Sequence, residues 1–89
     1  MDFSWDETKA TSNLAKHGVS FEEATEVFAD PLALMVEDVE HPERLILIGK
    51  SVSDRLLLVV FIERVDQGIR IISARRATPH ERRHYEEGN

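Results

Sequence analysis

The hydrophobic residues of this chain recur at helical spacing as far as Asp30-Pro31 and in continuous runs beyond it, and that change separates predicted helices from predicted strands. Behind a short Phe3-Ser4-Trp5 segment, Asp6 is a good N-cap. Ala10 and Leu14 then share a face at i, i+4, and Lys16-His17-Gly18 closes the pattern with basic residues and a glycine, so a first helix is predicted there. Ser20, with Glu23 three positions on, forms a capping box for a second helix. Its apolar stripe of Phe21, Ala24, Val27 and Phe28 is stopped by Asp30-Pro31. Strands are predicted over 32–36, 45–48, 56–62 and 69–74. The connections between them are short: 37–43 contains His41-Pro42, 51–54 is polar, and 65–68 ends in a turn glycine. Each suits a join between antiparallel neighbours.

The run 56–62 is apolar on both faces and belongs in the middle of a covered sheet, with the two N-terminal helices as cover for one face. The expected fold is therefore α+β: two N-terminal helices packed on a four-stranded, or five-stranded, antiparallel sheet, followed by a short C-terminal helix. Thr78-Pro79-His80-Glu81 combines an N-cap threonine, proline at the first helical position and a capping-box glutamate, which opens that last helix through about Glu87. Tyr85 is its only large hydrophobe. A helix this polar is expected to face a partner, an RNA or solvent rather than dock on its own core.

Length and charge sharpen the picture. A chain of 89 residues fits a single domain spanning 1–89. At this size folding buries roughly 60–65% of the unfolded surface, which makes a stabilising partner plausible. The absence of cysteine excludes disulfides and thiolate metal sites, and the four histidines lack paired zinc spacing, so no metal and no cofactor are expected. The N-terminus has no basic start followed by an apolar run, and no stretch approaches the ~20 apolar residues of a membrane span. A soluble, cytoplasmic protein without membrane contact is expected.

The net charge of −6 argues against nucleic acid, but its distribution reverses that inference. Eleven acidic residues face two lysines over 1–43, whereas nine basic residues face six acidic over 44–89. Between Arg70 and His84, five arginines meet only Glu81, a local excess able to receive phosphate. A solvated charged face is the plainer alternative.

Two stretches carry a resemblance to a known family. Phe3-Ser4-Trp5-Asp6, Lys9, Asn13, the run from Lys16 to Ala24, Val27-Phe28 and Asp30-Pro31 are similar to the N-terminal motif of BrnT-type toxins. The run from Ile71 to Thr78, with Glu81-Arg82 and Tyr85-Glu86, resembles the C-terminal motif of the same family. The resemblance implies a RelE-like fold and the toxin role of a type II toxin–antitoxin system. It further implies metal-independent RNA cleavage that inhibits translation, with neutralisation by a BrnA-like antitoxin that also binds operator DNA. Operator DNA would be reached only through the antitoxin, and the assembly would be a hetero-oligomer with two-fold symmetry.

Such chemistry needs a group to take the 2′-hydroxyl proton, one to protonate the leaving 5′-oxygen, and cations where charge builds on phosphorus. Arg75 and Arg76 suit the last task and not proton abstraction. If the strand continues through them they point to opposite faces, so one could pair with a carboxylate instead. His17 is the best proton-transfer candidate, since histidine titrates nearest neutrality and this one follows Lys16 at a helix C-terminus. It could equally serve only as a favourable charge on the helix dipole. Tyr85 could donate a proton, although it does not share a helix side with His84. Lys16, Arg70, His80, Arg83 and His84 complete the candidate RNA-binding set, with helix-surface pairing to Glu86 and Glu87 as the alternative for Arg82 and Arg83. Two other readings stand beside the active toxin: a catalytically inactive module that only partners the antitoxin in operator binding and autoregulation, and an adaptor domain with no nucleic-acid role.

Overall fold

The computed structural model describes residues 2–88, and they form one mixed sheet with helices on both faces. In chain order these are strand β1 (Phe3–Ser4), helix α1 (Glu7–His17), helix α2 (Phe21–Glu26) with a 3-10 turn over Val27–Ala29, strands β2 (Leu34–Glu37), β3 (Leu45–Lys50), β4 (Leu56–Arg64) and β5 (Gly68–Arg76), and helix α3 (Pro79–Glu87).

The N-caps read from sequence form, but the capping box expected of Ser20 and Glu23 is only half made, because the Glu23 carboxylate binds Arg55 instead. The Asp6 side chain accepts the Lys9 N–H, the Ser20 hydroxyl accepts the Glu23 N–H, and Thr78 with Glu81 completes a reciprocal capping box. Gly18 ends α1 in the left-handed region at φ 70°, where a β-carbon would be strained, and its N–H bonds the Leu14 carbonyl.

Strand order is β1-β5-β4-β3-β2, and β2 to β5 form the expected antiparallel meander. The expectation of a purely antiparallel sheet is corrected by β1, which pairs parallel to β5 through Phe3 opposite Ile69 and Ser4 opposite Arg70. The chain runs from β1 through two helices and three strands before reaching β5, so a parallel pairing meets no connection limit.

Beneath α1 and α2, Phe21, Ala24 and Val27 pack on Leu57, Val59, Phe61 and Ile71, with Phe28 edge-on to both Phe3 and Phe61. Gly49 of β3 lies under the 3-10 turn, where an added β-carbon would come within 2.8 Å of Val27. The opposite face carries a second cluster of Ile48, Leu56, Leu58 and Tyr85. Here a second expectation is corrected: α3 does dock on its own sheet. One tyrosine, 6% exposed, supplies the burial that the absent apolar stripe does not, and Ala77 packs against the same cluster. Among the described residues no helix is long and apolar enough to cross a membrane.

Candidate functional site

The outer edge of β5 is covered by β1 only as far as Arg70. Beyond it, α1 takes over through Asn13, whose carboxamide donates to the Ala74 carbonyl at 2.8 Å and accepts the Ala74 N–H at 3.2 Å. The same amide nitrogen donates to the Val19 carbonyl at 3.0 Å, so this buried side chain fixes α1, the α1–α2 turn and β5 together. A shallow cavity lies along that seam. Lys9, Ser12, Lys16 and His17 line it from α1, and Ile72 and Ser73 line it from β5.

A bulge in β5 sets which side chains surround this seam. The register steps from Val60 opposite Ser73 to Phe61 opposite Ile71, leaving Ile72 as the extra residue. Past the bulge Ala74 and Arg76 lie on the α1/α2 face, opposite Val59 and Leu57, while Ser73 and Arg75 lie on the α3 face, opposite Val60 and Leu58. The two arginines therefore do diverge, as strand alternation requires.

Their surroundings differ as well. Arg75 is half-buried and held by Glu81 through two parallel bonds of 2.9 and 2.8 Å, and it also donates to the Arg76 carbonyl. The Arg75 guanidinium holds the Glu81 carboxyl below its usual range. Glu81 in turn accepts the Thr78 N–H, so the pair ties the end of β5 to the start of α3. Arg76 is exposed, and no ion pair or side-chain hydrogen bond engages its guanidinium among the described residues. It stands opposite Leu57, two residues after Arg55, and Arg55 donates to the carbonyl of Gly18 at 3.0 Å. Arg76 thus shares one end of the sheet with the C-terminus of α1, where Lys16 and His17 occupy the last turn.

Arg55 itself is occupied. It binds the Glu23 carboxylate through two nitrogens, and Ser51 and Ser53 add their hydroxyls to the same carboxylate. The Arg55 bonds lead in lowering the Glu23 carboxyl from 4.5 to about 2.

The other candidates are dispersed. Tyr85 is buried on the α3 face and its hydroxyl donates to Asp30 Oδ2 at 2.7 Å. Burial, and then the Asp30 carboxylate, push the phenol up to about 12. Burial alone would raise Asp30, but donors from the Lys50 N–H, the Tyr85 hydroxyl and the Leu32 N–H outweigh it and leave that carboxyl lowered. Arg70 is half-buried on the α3 face, beside Ser4 and Ile62. His80 and His84 stack edge-on with ring centroids 4.8 Å apart on exposed α3 positions, and Arg83 is exposed nearby. Among the described residues no ion pair joins Arg82 or Arg83 to Glu86 or Glu87. The structure thus sets Lys16 and His17 along one seam, with Arg76 at the same end of the sheet. It adds Lys9 and Ser73, which the sequence shows within the family motifs and not as site residues, although Lys9 stands seven residues, about two helical turns, before Lys16 on the same face.

The fold and the seam together define a small α+β protein with Lys9, Lys16 and His17 along the α1-covered edge of its last strand. The family is settled by comparison. A family model described as the ribonuclease toxin, BrnT, of type II toxin-antitoxin system matches residues 5–81, and the chain belongs to that family. Among solved structures it is similar to the Brucella abortus ribonuclease toxin BrnT, whose crystal structure was determined at 1.1 Å. The TM-score is 0.72 and the identity 28%, over 88% of this chain and 97% of that one. No curated protein gives a match.

Proposed function

We propose that this chain is a metal-independent endoribonuclease whose cleavage of RNA inhibits translation, and that a BrnA-like antitoxin neutralises it. The observation that carries the reading is the seam between α1 and β5 lined by Lys9, Lys16, His17 and Ser73, with the exposed Arg76 at the end of the same strand. Lys9 and Lys16 hold backbone phosphates, and Arg76 stabilises the charge that grows on the attacked phosphorus. His17 takes the proton of the 2′-hydroxyl. The 2′-oxygen bonds to the adjacent phosphorus, the bond from phosphorus to the 5′-oxygen breaks, and the departing 5′-oxygen takes a proton from water at this open seam. The products are a 2′,3′-cyclic phosphate and a free 5′-hydroxyl.

Arg75 acts on this site through position, since Glu81 already occupies its donors, and Tyr85 anchors α3 through Asp30. The exposed Arg83, His80 and His84 extend phosphate contact along α3, and Arg70 lies at the far end of β5. The antitoxin links the toxin to operator DNA in a two-fold hetero-oligomer.

A second reading, an inactive module serving only as the antitoxin's partner in operator binding, is favoured by the engagement of Arg75 and Tyr85 with carboxylates. The discriminating experiment is incubation of labelled RNA with the purified chain in EDTA. Cleavage into cyclic-phosphate ends supports the enzyme. RNA left intact, with ribosomes present as well, leaves the inactive module.

A further inference from the structure

The two edges of the sheet are finished differently. On the β5 side, β1 pairs with the strand and Asn13 occupies the backbone groups of Ala74. On the other side β2 pairs only with β3, and no described backbone bond reaches its outer edge. That edge is apolar on both faces: Met35, 54% exposed, lies on the α1/α2 face opposite Leu47, and Val36, 37% exposed, lies on the other face opposite Ile46. An open edge without lysine, proline or a bulge is a template for another strand.

The charge around this edge selects the partner. From Glu22 to Glu43 there are eight carboxylates and no lysine or arginine. Beyond the end of β2, Val39, Pro42 and Leu45 wall a shallow cavity with Glu37 and Asp38 beside them and Arg44 as its one cation. Apolar walls under a carboxylate rim suit the aliphatic stem and charged tip of a lysine or arginine. A second copy of this chain fits poorly, because neither β2 nor the segments flanking it from Glu22 to Glu43 offer a lysine or arginine to the Glu37-Asp38 end of the other strand.

We propose that the outer edge of β2 takes an extended strand of the antitoxin bearing alternating apolar and basic residues, with a basic side chain lodged beside Glu37 and Asp38. The choice of partner rests on the toxin reading; the edge, its exposure and its charge do not.

The test measures amide hydrogen exchange of the full chain alone, with the purified antitoxin, and with a synthetic octapeptide alternating isoleucine and lysine. Slowed exchange at 34–37 with both probes is expected. Met35→Lys should weaken binding of each roughly tenfold, and the double variant Glu37→Lys/Asp38→Lys should also flatten its salt dependence. Met35 and Glu37 are exposed, and circular dichroism checks that the variants stay folded. Protection confined to other segments, or variants that bind as tightly as the parent, overturns the proposal. Concentration-dependent protection at 34–37 without a partner also overturns it and assigns the edge to a second copy. If RNA stays intact while the edge is protected by the antitoxin, the ribonuclease reading fails and the docking proposal stands.

Discussion

Asn13 and Ala74 are bonded to each other twice, through the two ends of one carboxamide, across 61 residues of sequence. The side chain imitates a neighbouring strand at the point where β1 no longer covers β5, and so the helix carrying Lys9, Lys16 and His17 is fixed against the strand that ends in Arg75 and Arg76. Asn13→Ala leaves the Ala74 N–H and two carbonyls without their partner in a buried setting. At about 1–3 kcal/mol for a buried polar group left unpaired, the expected loss is on the order of 2–4 kcal/mol, read from urea unfolding. Asn13→Asp should be at least as damaging, since it sets a carboxylate against two carbonyl oxygens.

The two adjacent arginines should separate by assay. Arg76→Ala removes an exposed, unengaged cation, so its unfolding free energy should stay within about 0.5 kcal/mol of the parent, while the slope of log affinity for RNA against log salt falls by roughly one. Arg75→Ala breaks the bidentate bond to Glu81 and should cost about 1 kcal/mol of stability, discounted for a side chain still 38% exposed. Arg75→Lys should not restore it, because a lysine cannot bond both carboxylate oxygens in parallel.

Much of this was legible in the sequence for a physical reason: capping residues act on neighbours three positions away, and strand runs between turn residues are local as well. Asp6, Ser20 and the Thr78/Glu81 box therefore act where they were read. The features that were not legible are long-range. Phe3–Ser4 is too short to show a period, and its pairing with Ile69–Arg70 is set by the sheet. The docking of α3 depends on one side chain, Tyr85, and a carboxylate 55 residues away, which no stripe announces. At the site, strand alternation predicted that Arg75 and Arg76 diverge, but the bulge at Ile72 decides which faces they take, and nothing local in Arg75 reveals that Glu81 claims it.

Tyr85→Phe distinguishes an anchoring hydroxyl from a catalytic one. Loss of the bond to Asp30 should lower stability by about 1.5–3 kcal/mol, the range for a hydrogen bond to a charged group. At a temperature where the variant is folded, RNA cleavage should remain within about twofold of the parent. A loss of 10²-fold or more, the range of general acid–base catalysis, would return the phenol to the chemistry.

Glu23 sets an acid limit on stability. Its carboxyl is lowered from 4.5 to about 2, chiefly by the Arg55 bonds, so between those values the unfolded chain binds the proton and the folded chain does not. The stability from this group is complete above about pH 4.5 and is lost as pH falls toward 2. Its size is on the order of 3 kcal/mol. Urea unfolding of the parent and of Glu23→Gln at pH 7 and pH 3 should show a gap that narrows at the lower pH. An equal gap at both would mean that Arg55 does not hold the folded-state carboxylate.

RNA is proposed to be cut at the seam between α1 and β5 with His17 as the base. The most direct test is single-turnover cleavage of labelled RNA in EDTA by the parent, His17→Ala and Arg76→Ala, each shown to be folded by circular dichroism. The expected result is 2′,3′-cyclic phosphate ends from the parent and losses of about 10²-fold or more in both variants. Cleavage by His17→Ala at the parent's rate would contradict it.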